Sequence, residues 1–159
     1  GLALKSFQAA TAADPGSTEA KLGLAVALRG TEDFEGADKL YREIIAAEPK
    51  NGKAYFNAAT LHEKYTKDFK KAEKYLDQFI ATHVGEVGPD HEVYARKERI
   101  AASIEEERKR QEELDRLERE RKEREERNKK LLADLATQVQ DIETRSAQCN
   151  DEMTQIQEK

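Results

Sequence analysis

The chain has 159 residues, of which 38% are charged and 37% hydrophobic, and its formal net charge is −5 at pH 7. Because charged residues make up about a quarter of an ordinary domain, this composition excludes a single compact globule. The near balance of acids and bases argues against nucleic acid as a partner. No apolar run approaches the roughly 20 residues that span a bilayer, so we expect no direct membrane insertion.

The first half of the chain contains a pattern that repeats at intervals of 34 and 35 residues. The recurring residues are Ala3, Phe7 and Pro15, which return as Ala37, Tyr41 and Pro49, and Phe34, Ala37, Ile44 and Ile45, which return as Phe69, Ala72, Phe79 and Ile80. A fixed period of this size predicts stacked units, each covering the apolar face of its neighbour. The chain opens inside such a unit, so we expect it to be a piece of a longer protein.

Apolar residues at helical spacing predict that each unit is a pair of helices joined by a short turn. The predicted elements are the second helix of a truncated unit at residues 1–14, and complete units at residues 18–48 and 52–83. Ser17 or Thr18 would cap the first helix of the first complete unit. One additional residue in a turn at residues 63–68 would explain the longer spacing of the second, because insertions in turns cost little.

The small residue Ala37, the aromatic Tyr41 one turn later and the closing Pro49 resemble the signature of the tetratricopeptide repeat (TPR), a helix–turn–helix unit. The resemblance implies an all-α fold, in which a TPR-type array of about 2.5 repeats over residues 1–89 is followed by a long C-terminal helix. Val84 or His83 stands where the next closing proline belongs, so we expect the regular array to end near there.

The resemblance also implies a concave face, formed by the first helix of each unit, that binds a peptide or a helix of a partner protein. The residues expected on this face are Leu22, Val26, Arg29, Lys53, Phe56, Asn57, Thr60 and Lys64. Lys53 and Asn57 lie one turn apart and could together hold a carboxylate or a peptide carbonyl. The competing interpretation is that Lys53 and Lys64 are solvated surface charges.

A break and a long polar helix are predicted after the repeats. The glycines and proline of residues 84–89 mark the break, and Asp90 would cap a helix whose opening, residues 90–104, covers the end of the array. In residues 105–130, 22 of 26 residues are charged, and acid precedes base by four positions in nine pairs. Each such pair stabilises a helix by roughly 0.2–0.5 kcal/mol, which favours a solvated helical spacer over a disordered segment.

Residues 131–159 regain apolar residues at alternating spacings of three and four, which is the pattern of a coiled coil. The expected seam consists of Leu132, Leu135, Val139, Ile142, Ser146, Cys149, Met153 and Ile156. It predicts either a parallel homodimer or pairing with a helix of another protein. In a homodimer the two copies of Cys149 would meet, either as buried thiols or as an interchain disulfide.

The motifs that usually carry catalysis, metals or cofactors are not found in the sequence. The chain lacks a glycine-rich phosphate loop, paired cysteines and a helix with two histidines one turn apart. His62 is expected at the edge of a repeat core. His83 and His91 could share a metal with Asp90, but so few ligands favour structural roles. The many carboxylates of the spacer are exposed and ion-paired, so we expect neither enzyme activity nor a cofactor.

These features predict a non-enzymatic adaptor whose groove binds a peptide or helix, with a C-terminal helix for spacing and oligomerisation. The alternative is a structural component of a larger assembly, whose long helix is the main partner-binding element. Residues 57–65 and 88–93, with the coil after them, are similar to TPR lipoproteins of bacterial adventurous gliding motility. That resemblance implies a periplasmic, outer-membrane-anchored protein, and without it a cytoplasmic location is expected.

Overall fold

The structure, a computed structural model, describes the backbone of residues 1–157 and the side chains of residues 1–153. Its elements are α1 (Leu2–Ala13), α2 (Thr18–Gly30), α3 (Phe34–Ala47), α4 (Gly52–Thr60), a π-helical segment (Leu61–Thr66), α5 (Phe69–Thr82) and α6 (Glu92–Gln157). The chain divides into two compact units, residues 1–108 and 109–159. The expected all-α class is confirmed.

Within residues 1–108, consecutive helices pack against one another. α2 packs on α3 and α4 packs on α5, which makes two helical hairpins, and α3 packs on α4, which stacks the hairpins. α1 packs on α2 ahead of the first hairpin. The expectation of a helical repeat array followed by a long C-terminal helix is therefore confirmed.

The first helix of each hairpin begins with the same kind of side-chain cap. Ser17 Oγ accepts a hydrogen bond from the backbone N–H three residues later, with an N···O distance of 3.1 Å. Asn51, 34 residues further on, does the same through Oδ1 at 3.2 Å. Ser17 is thus the cap of α2, whereas the hydroxyl of Thr18 donates to Glu48. Both caps satisfy backbone donors that a helix start leaves unpaired.

The second helix of each hairpin also begins in an equivalent way. Asp33 and Asp68 cap α3 and α5 by accepting from the backbone N–H three residues on, at 2.9 and 3.1 Å. The preceding residues, Glu32 and Lys67, both have left-handed backbone conformations, with φ of 65° and 57°. The turn between paired helices is therefore built from the same local conformation in both hairpins.

The prediction of a turn over residues 63–68 is wrong. Leu61–Thr66 continue the path of α4 as a π-helical segment, and only Lys67 and Asp68 separate it from α5. A π-helical turn holds about one more residue than an α-helical turn. The residue that lengthens the period from 34 to 35 is therefore absorbed inside the helix rather than in the turn.

The core of the array lies between the paired helices. Ala37 and Ala72, the small residues of the repeated pattern, are completely buried. Around them lie Ala25, Tyr41, Ile44, Ala54, Tyr55, Ala58, Ala59, Leu61, Leu76 and Phe79. Because such a core is close-packed, a larger side chain at Ala37 or Ala72 would push the helices apart.

The first turns of α6 cover the core beyond the second hairpin, where Val93 and Ile100 are fully buried. The helix begins at Glu92, so Asp90 is not its cap as expected. Its opening turn is capped by His91, whose Nδ1 accepts a hydrogen bond from the backbone N–H of Val93 at 3.2 Å. Asp90 lies in the preceding turn.

From residue 109 onward, every described side chain of α6 is exposed. Residues 105–130 are helical, as the pairing of acids and bases indicates. Ion pairs in the expected acid-first arrangement include Glu118 with Lys122 at 2.8 Å and Glu123 with Arg127 at 3.7 Å. None of the helices within residues 1–157 combines the length and apolar composition that a membrane span requires.

Candidate interaction surface

An apolar groove lies where α1, α2 and α4 come together, and part of the expected first-helix face contributes to it. The groove has a volume of about 280 Å³ and is lined by Ala3, Phe7, Leu22, Gly23, Val26, Ala27 and Asn57. Leu22, Val26 and Asn57 belong to the face expected from the sequence. Val26 is 38% exposed and so is open to contact from outside. Because small-molecule sites usually measure roughly 300–1,000 Å³, this groove is better suited to side chains of a peptide.

The shape of the groove depends on the close approach of α1 and α2 at Gly23. A Cβ atom at Gly23 would lie 2.2 Å from the ring of Phe7. Glycine inside a helix costs about 1 kcal/mol relative to alanine, and the approach of this ring gives a physical reason for it. Phe7 is itself exposed, so it presents an aromatic surface to the groove.

A larger, more polar cavity adjoins the apolar groove at Leu22, which lines both. It has a volume of about 600 Å³ and is lined by Thr18, Glu19, Leu22, Glu48, Pro49, Lys50, Asn51, Gly52 and Lys53. A hydrogen bond from Thr18 and a smaller contribution from the hydrogen bond of Asn51 lower the pKa of the Glu48 carboxyl. The expected groove residue Lys53 is exposed at this charged end.

The structure does not leave Asn57 free to bind a carboxylate together with Lys53. Asn57 Nδ2 donates to the backbone carbonyl of Lys53 at 2.9 Å, and Arg29 Nη1 lies 3.5 Å from Asn57 Oδ1. Arg29 also lies over the ring of Tyr65, with Cζ 5.3 Å from the centroid, a cation–π contact. Both ends of the Asn57 amide are thus engaged within the array, and a partner carboxylate would have to displace these bonds.

Phe56 and Thr60, two other residues expected in the groove, are contacted by the opening of α6. Arg96 Nη2 donates to Thr60 Oγ1 at 2.9 Å, and its Cζ lies 5.9 Å from the centroid of the Phe56 ring. Arg96 also donates to Glu63 Oε2 from Nε and Nη2, at 2.8 and 2.6 Å. The side chains of Arg96 and Glu63 are only 14% and 22% exposed. This part of the α4 face is therefore occupied, while Lys64 remains exposed.

The sequence did not predict a buried polar network between α3, the π-helical segment and α5. His62 is 4% exposed, with Nε2 3.0 Å from Asp38 Oδ1 and Nδ1 3.0 Å from Thr66 Oγ1. The Tyr75 hydroxyl donates to the same oxygen of Asp38 at 2.6 Å. The rings of His62 and Tyr75 stack, with centroids 5.7 Å apart. His62 therefore lies inside the core rather than at its edge.

Electrostatics in this network keep Asp38 ionised. Burial alone would raise the pKa of its carboxyl, but hydrogen bonds from His62 and Tyr75, with the charges of His62 and Arg42, outweigh burial and lower the pKa to about 2. Burial and the bond to Asp38 raise the pKa of Tyr75, which stays a neutral donor. The arrangement joins three helical elements through one carboxylate.

The other two histidines, His83 and His91, make hydrogen bonds to the backbone. His83 Nδ1 lies 2.9 Å from the carbonyl oxygen of Phe79 and Nε2 lies 3.2 Å from that of Lys50. His91 caps α6. Within the part of the chain that the structure describes, no three or more His, Cys, Asp or Glu side chains are grouped so that they could hold a metal ion.

The apolar stripe expected as a coiled-coil seam lies exposed along α6. The exposed fraction runs from 46% at Leu135 to 67% at Leu132, with Val139, Ile142 and Met153 between these values. Cys149 is an exposed free thiol. The side chain of Ile156, the last residue of the expected seam, lies outside the described residues.

The chain matches no protein-family model and no curated protein. Function is therefore inferred from the groove, the contacts around it and the exposed stripe on α6.

Proposed function

We propose that residues 1–89 are a TPR-type array, and that the chain is a non-enzymatic adaptor that binds an apolar-faced peptide or helix of a partner protein. The binding site is the groove at α1, α2 and α4. The observation that carries the proposal is an apolar lining formed by exposed Phe7 and Val26 with half-buried Leu22, which continues past Leu22 into a charged cavity. Apolar side chains of a partner would be buried at one end of this surface, and charged side chains at the other end would orient its polar groups.

Repetition within the array supports the TPR assignment. Equivalent caps begin α2 and α4, and equivalent capping aspartates begin α3 and α5, at the same 34- and 35-residue spacing as the sequence pattern. The small residues Ala37 and Ala72 occupy equivalent buried positions. Arrays of this kind leave a continuous surface along neighbouring helices, which suits an elongated partner.

The expected mode of recognition is a helix or strand-like peptide laid into the groove with its apolar side chains inward. Burying an apolar side chain contributes roughly 1.5–3 kcal/mol, and the apolar part of the groove is small, at about 280 Å³. One or two such anchors cannot overcome the cost of association by a large margin. We therefore expect a weak, transient interaction, for which a second point of attachment would matter.

Binding of peptides selected on the full chain tests the proposal. Peptides are selected by display, and their dissociation constants are measured calorimetrically for the wild type, Val26→Asp and Ala46→Asp. Val26→Asp places a charge in the apolar groove and should weaken binding by about tenfold or more, which corresponds to about 1.4 kcal/mol. Ala46 is exposed on α3 and lines a different cavity, so Ala46→Asp is the matched control and should change little.

Two outcomes of this experiment contradict the proposal. One is a selection that yields no binding peptide. The other is a set of peptides whose binding responds equally to Val26→Asp and to Ala46→Asp, because the α1–α2 groove would then have no special role.

A second candidate function is favoured by the exposed stripe on α6 and by the way Arg96 covers part of the α4 face. In this alternative the chain is a structural component of a larger assembly, such as the cell-envelope assembly that the gliding-motility resemblance implies, and α6 binds the main partner. Selected peptides would then lose binding with Val139→Asp and keep it with Val26→Asp.

A further inference from the structure

The stripe on α6 has the geometry of a surface that pairs with one other helix. From Leu132 to Met153 its residues occupy only two positions of each heptad, here called a and d. The a positions hold Leu132, Val139, Ser146 and Met153, and the d positions hold Leu135, Ile142 and Cys149. A helix that packs on a globular core needs a wider apolar face, whereas an a/d stripe matches a single helix with the same spacing.

We infer that this helix is the stripe of a second copy of the same chain, paired in parallel and in register. The inference goes beyond the proposed function, and it uses no feature of the groove. Two observations support it: the residues that flank the stripe are compatible with a second copy, and the polar residue of the stripe would face its own counterpart there.

The flanking positions, e and g, are compatible with self-pairing. In a parallel pair, each g residue lies beside the e residue five positions later in the second copy. These pairs are Leu131 with Ala136, Gln138 with Glu143, and Arg145 with Asn150. None of them brings like charges together. The first pair also covers the exposed side chain of Leu131 with an apolar neighbour.

The polar residue within the stripe favours the parallel, in-register arrangement. There, Ser146 faces Ser146 of the second copy, so the polar groups share one layer and help to fix the register. In an antiparallel pair with the same stripe, Ser146 would face Ile142 in two layers. That arrangement would place a polar hydroxyl against an apolar side chain in two layers rather than none.

Charges upstream limit the paired segment to the end of α6. Continued backwards in the same frame, the stripe would contain Glu118, Arg121 and Glu125, and each would face its own copy. Like charges placed together are destabilising. Pairing is therefore confined to residues from about 131 onward, and so short a coiled coil dissociates on dilution.

Sedimentation equilibrium of the full chain over a dilution series tests the pairing. The wild type should approach twice the monomer mass of 18.1 kDa at high concentration. Val139→Asp, at an a position, should remain monomeric. Gln140→Asp, one residue later on the outer face, is the matched control and should dimerise like the wild type. Far-ultraviolet circular dichroism of both variants checks that the helix itself is retained.

Oxidation by diamide tests the register through the native thiol. In the inferred dimer the two Cys149 thiols face each other, so they should join rapidly as a disulfide, giving two protons and two electrons to diamide. The control is Ala147→Cys combined with Cys149→Ser, which moves the thiol to the outer face and should crosslink only slowly. Crosslinking is read on a non-reducing gel.

Three results would overturn the inference. A chain that stays monomeric at all concentrations leaves the stripe to a foreign helix. A dimer that persists in Val139→Asp is held by another surface. An outer thiol at position 147 that crosslinks as fast as Cys149 excludes the parallel register. None of these results bears on peptide binding in the groove, which the Val26→Asp variant tests separately.

Discussion

Asp38 joins three helical elements of the array. Its carboxylate accepts hydrogen bonds from Tyr75 on α5 and pairs with His62 in the π-helical segment and with Arg42 on its own helix, where the N···O distance is 3.2 Å. A carboxylate held by several donors is stabilised in its ionised form. The state of this one group should therefore influence the stability of both hairpins.

We predict that this contribution is lost in acid. The pKa of Asp38 is about 2 in the folded chain against an ordinary value of 3.8, so folding favours the ionised form. The contribution is complete above pH of about 4 and disappears as the pH falls through about 2, with a size on the order of 2 kcal/mol. Urea unfolding of the wild type and Asp38→Asn measures it. The difference in unfolding free energy between them should shrink across this window, and a constant difference would contradict the prediction.

Tyr41 and Tyr75 are expected to respond in opposite ways to loss of the hydroxyl. Tyr41 is completely buried, its hydroxyl has no hydrogen-bond partner among the described residues, and burial raises its pKa. Tyr41→Phe should therefore leave stability unchanged or raise it by about 1 kcal/mol, whereas Tyr75→Phe should cost about 1–3 kcal/mol because Asp38 loses a donor. Urea unfolding of both variants gives the comparison. A larger loss for Tyr41→Phe than for Tyr75→Phe would show that the Tyr41 hydroxyl is bonded.

At the scale of elements, the pair of Arg96 and Glu63 attaches the opening of α6 to the π-helical segment that follows α4. Arg96→Met leaves the largely buried Glu63 carboxylate without its partner, which should cost about 3 kcal/mol. Adding Glu63→Gln should recover part of this loss, because the unpaired charge is removed. Urea unfolding and amide hydrogen exchange of residues 92–104 measure the effect.

The neighbouring pair of Lys97 and Asp77 supplies the control for Arg96. The carboxylate of Asp77 is about half exposed, and exposed pairs contribute only about 0–1 kcal/mol. Lys97→Met should therefore change stability little. Equal losses for Arg96→Met and Lys97→Met would mean that burial of the Glu63 pair has no special importance.

The helices and their order could be predicted from the sequence because their determinants are local. The apolar spacing and the capping residues Ser17, Asp33 and Asp68 act within a few residues of the chain. The π-helical segment could not be predicted, because the longer period indicates an additional residue but not whether a turn or a helix absorbs it. That choice is linked to the contact of His62 with Asp38, which lies 24 positions away. Contacts of this kind leave no periodic signal.

At the scale of the whole molecule, the candidate site was predicted in part. Leu22, Val26 and Asn57 do line one groove, since their helical spacing places them on one face. The contribution of Phe7 was missed, although Gly23 in the middle of a helix could have indicated a close approach there. The covering of Phe56 by Arg96 was also missed, because it depends on how α6 packs on α4, with partners 33 or more positions apart in sequence.

If each groove binds its peptide weakly and the stripe pairs two chains, the dimer should bind by avidity. Two linked sites raise the apparent affinity for a surface that carries many copies of a ligand, without any new contact. Val139→Asp should therefore weaken binding to a densely coated peptide surface by about tenfold or more, while binding to the same free peptide is unchanged. Surface plasmon resonance at high and low peptide density makes the comparison. A loss that is equal at both densities would place the peptide site on α6 itself.

The most direct test of the central claim is the map of amide chemical-shift changes when a selected peptide is titrated into the isotope-labelled full chain. The claim is that α1 and α2 present the partner site. The predicted result is a set of changes centred on Phe7, Leu22 and Val26, with Ala46 on α3 unaffected. Changes confined to residues 131–153, with none around Val26, would contradict the claim and assign partner binding to α6.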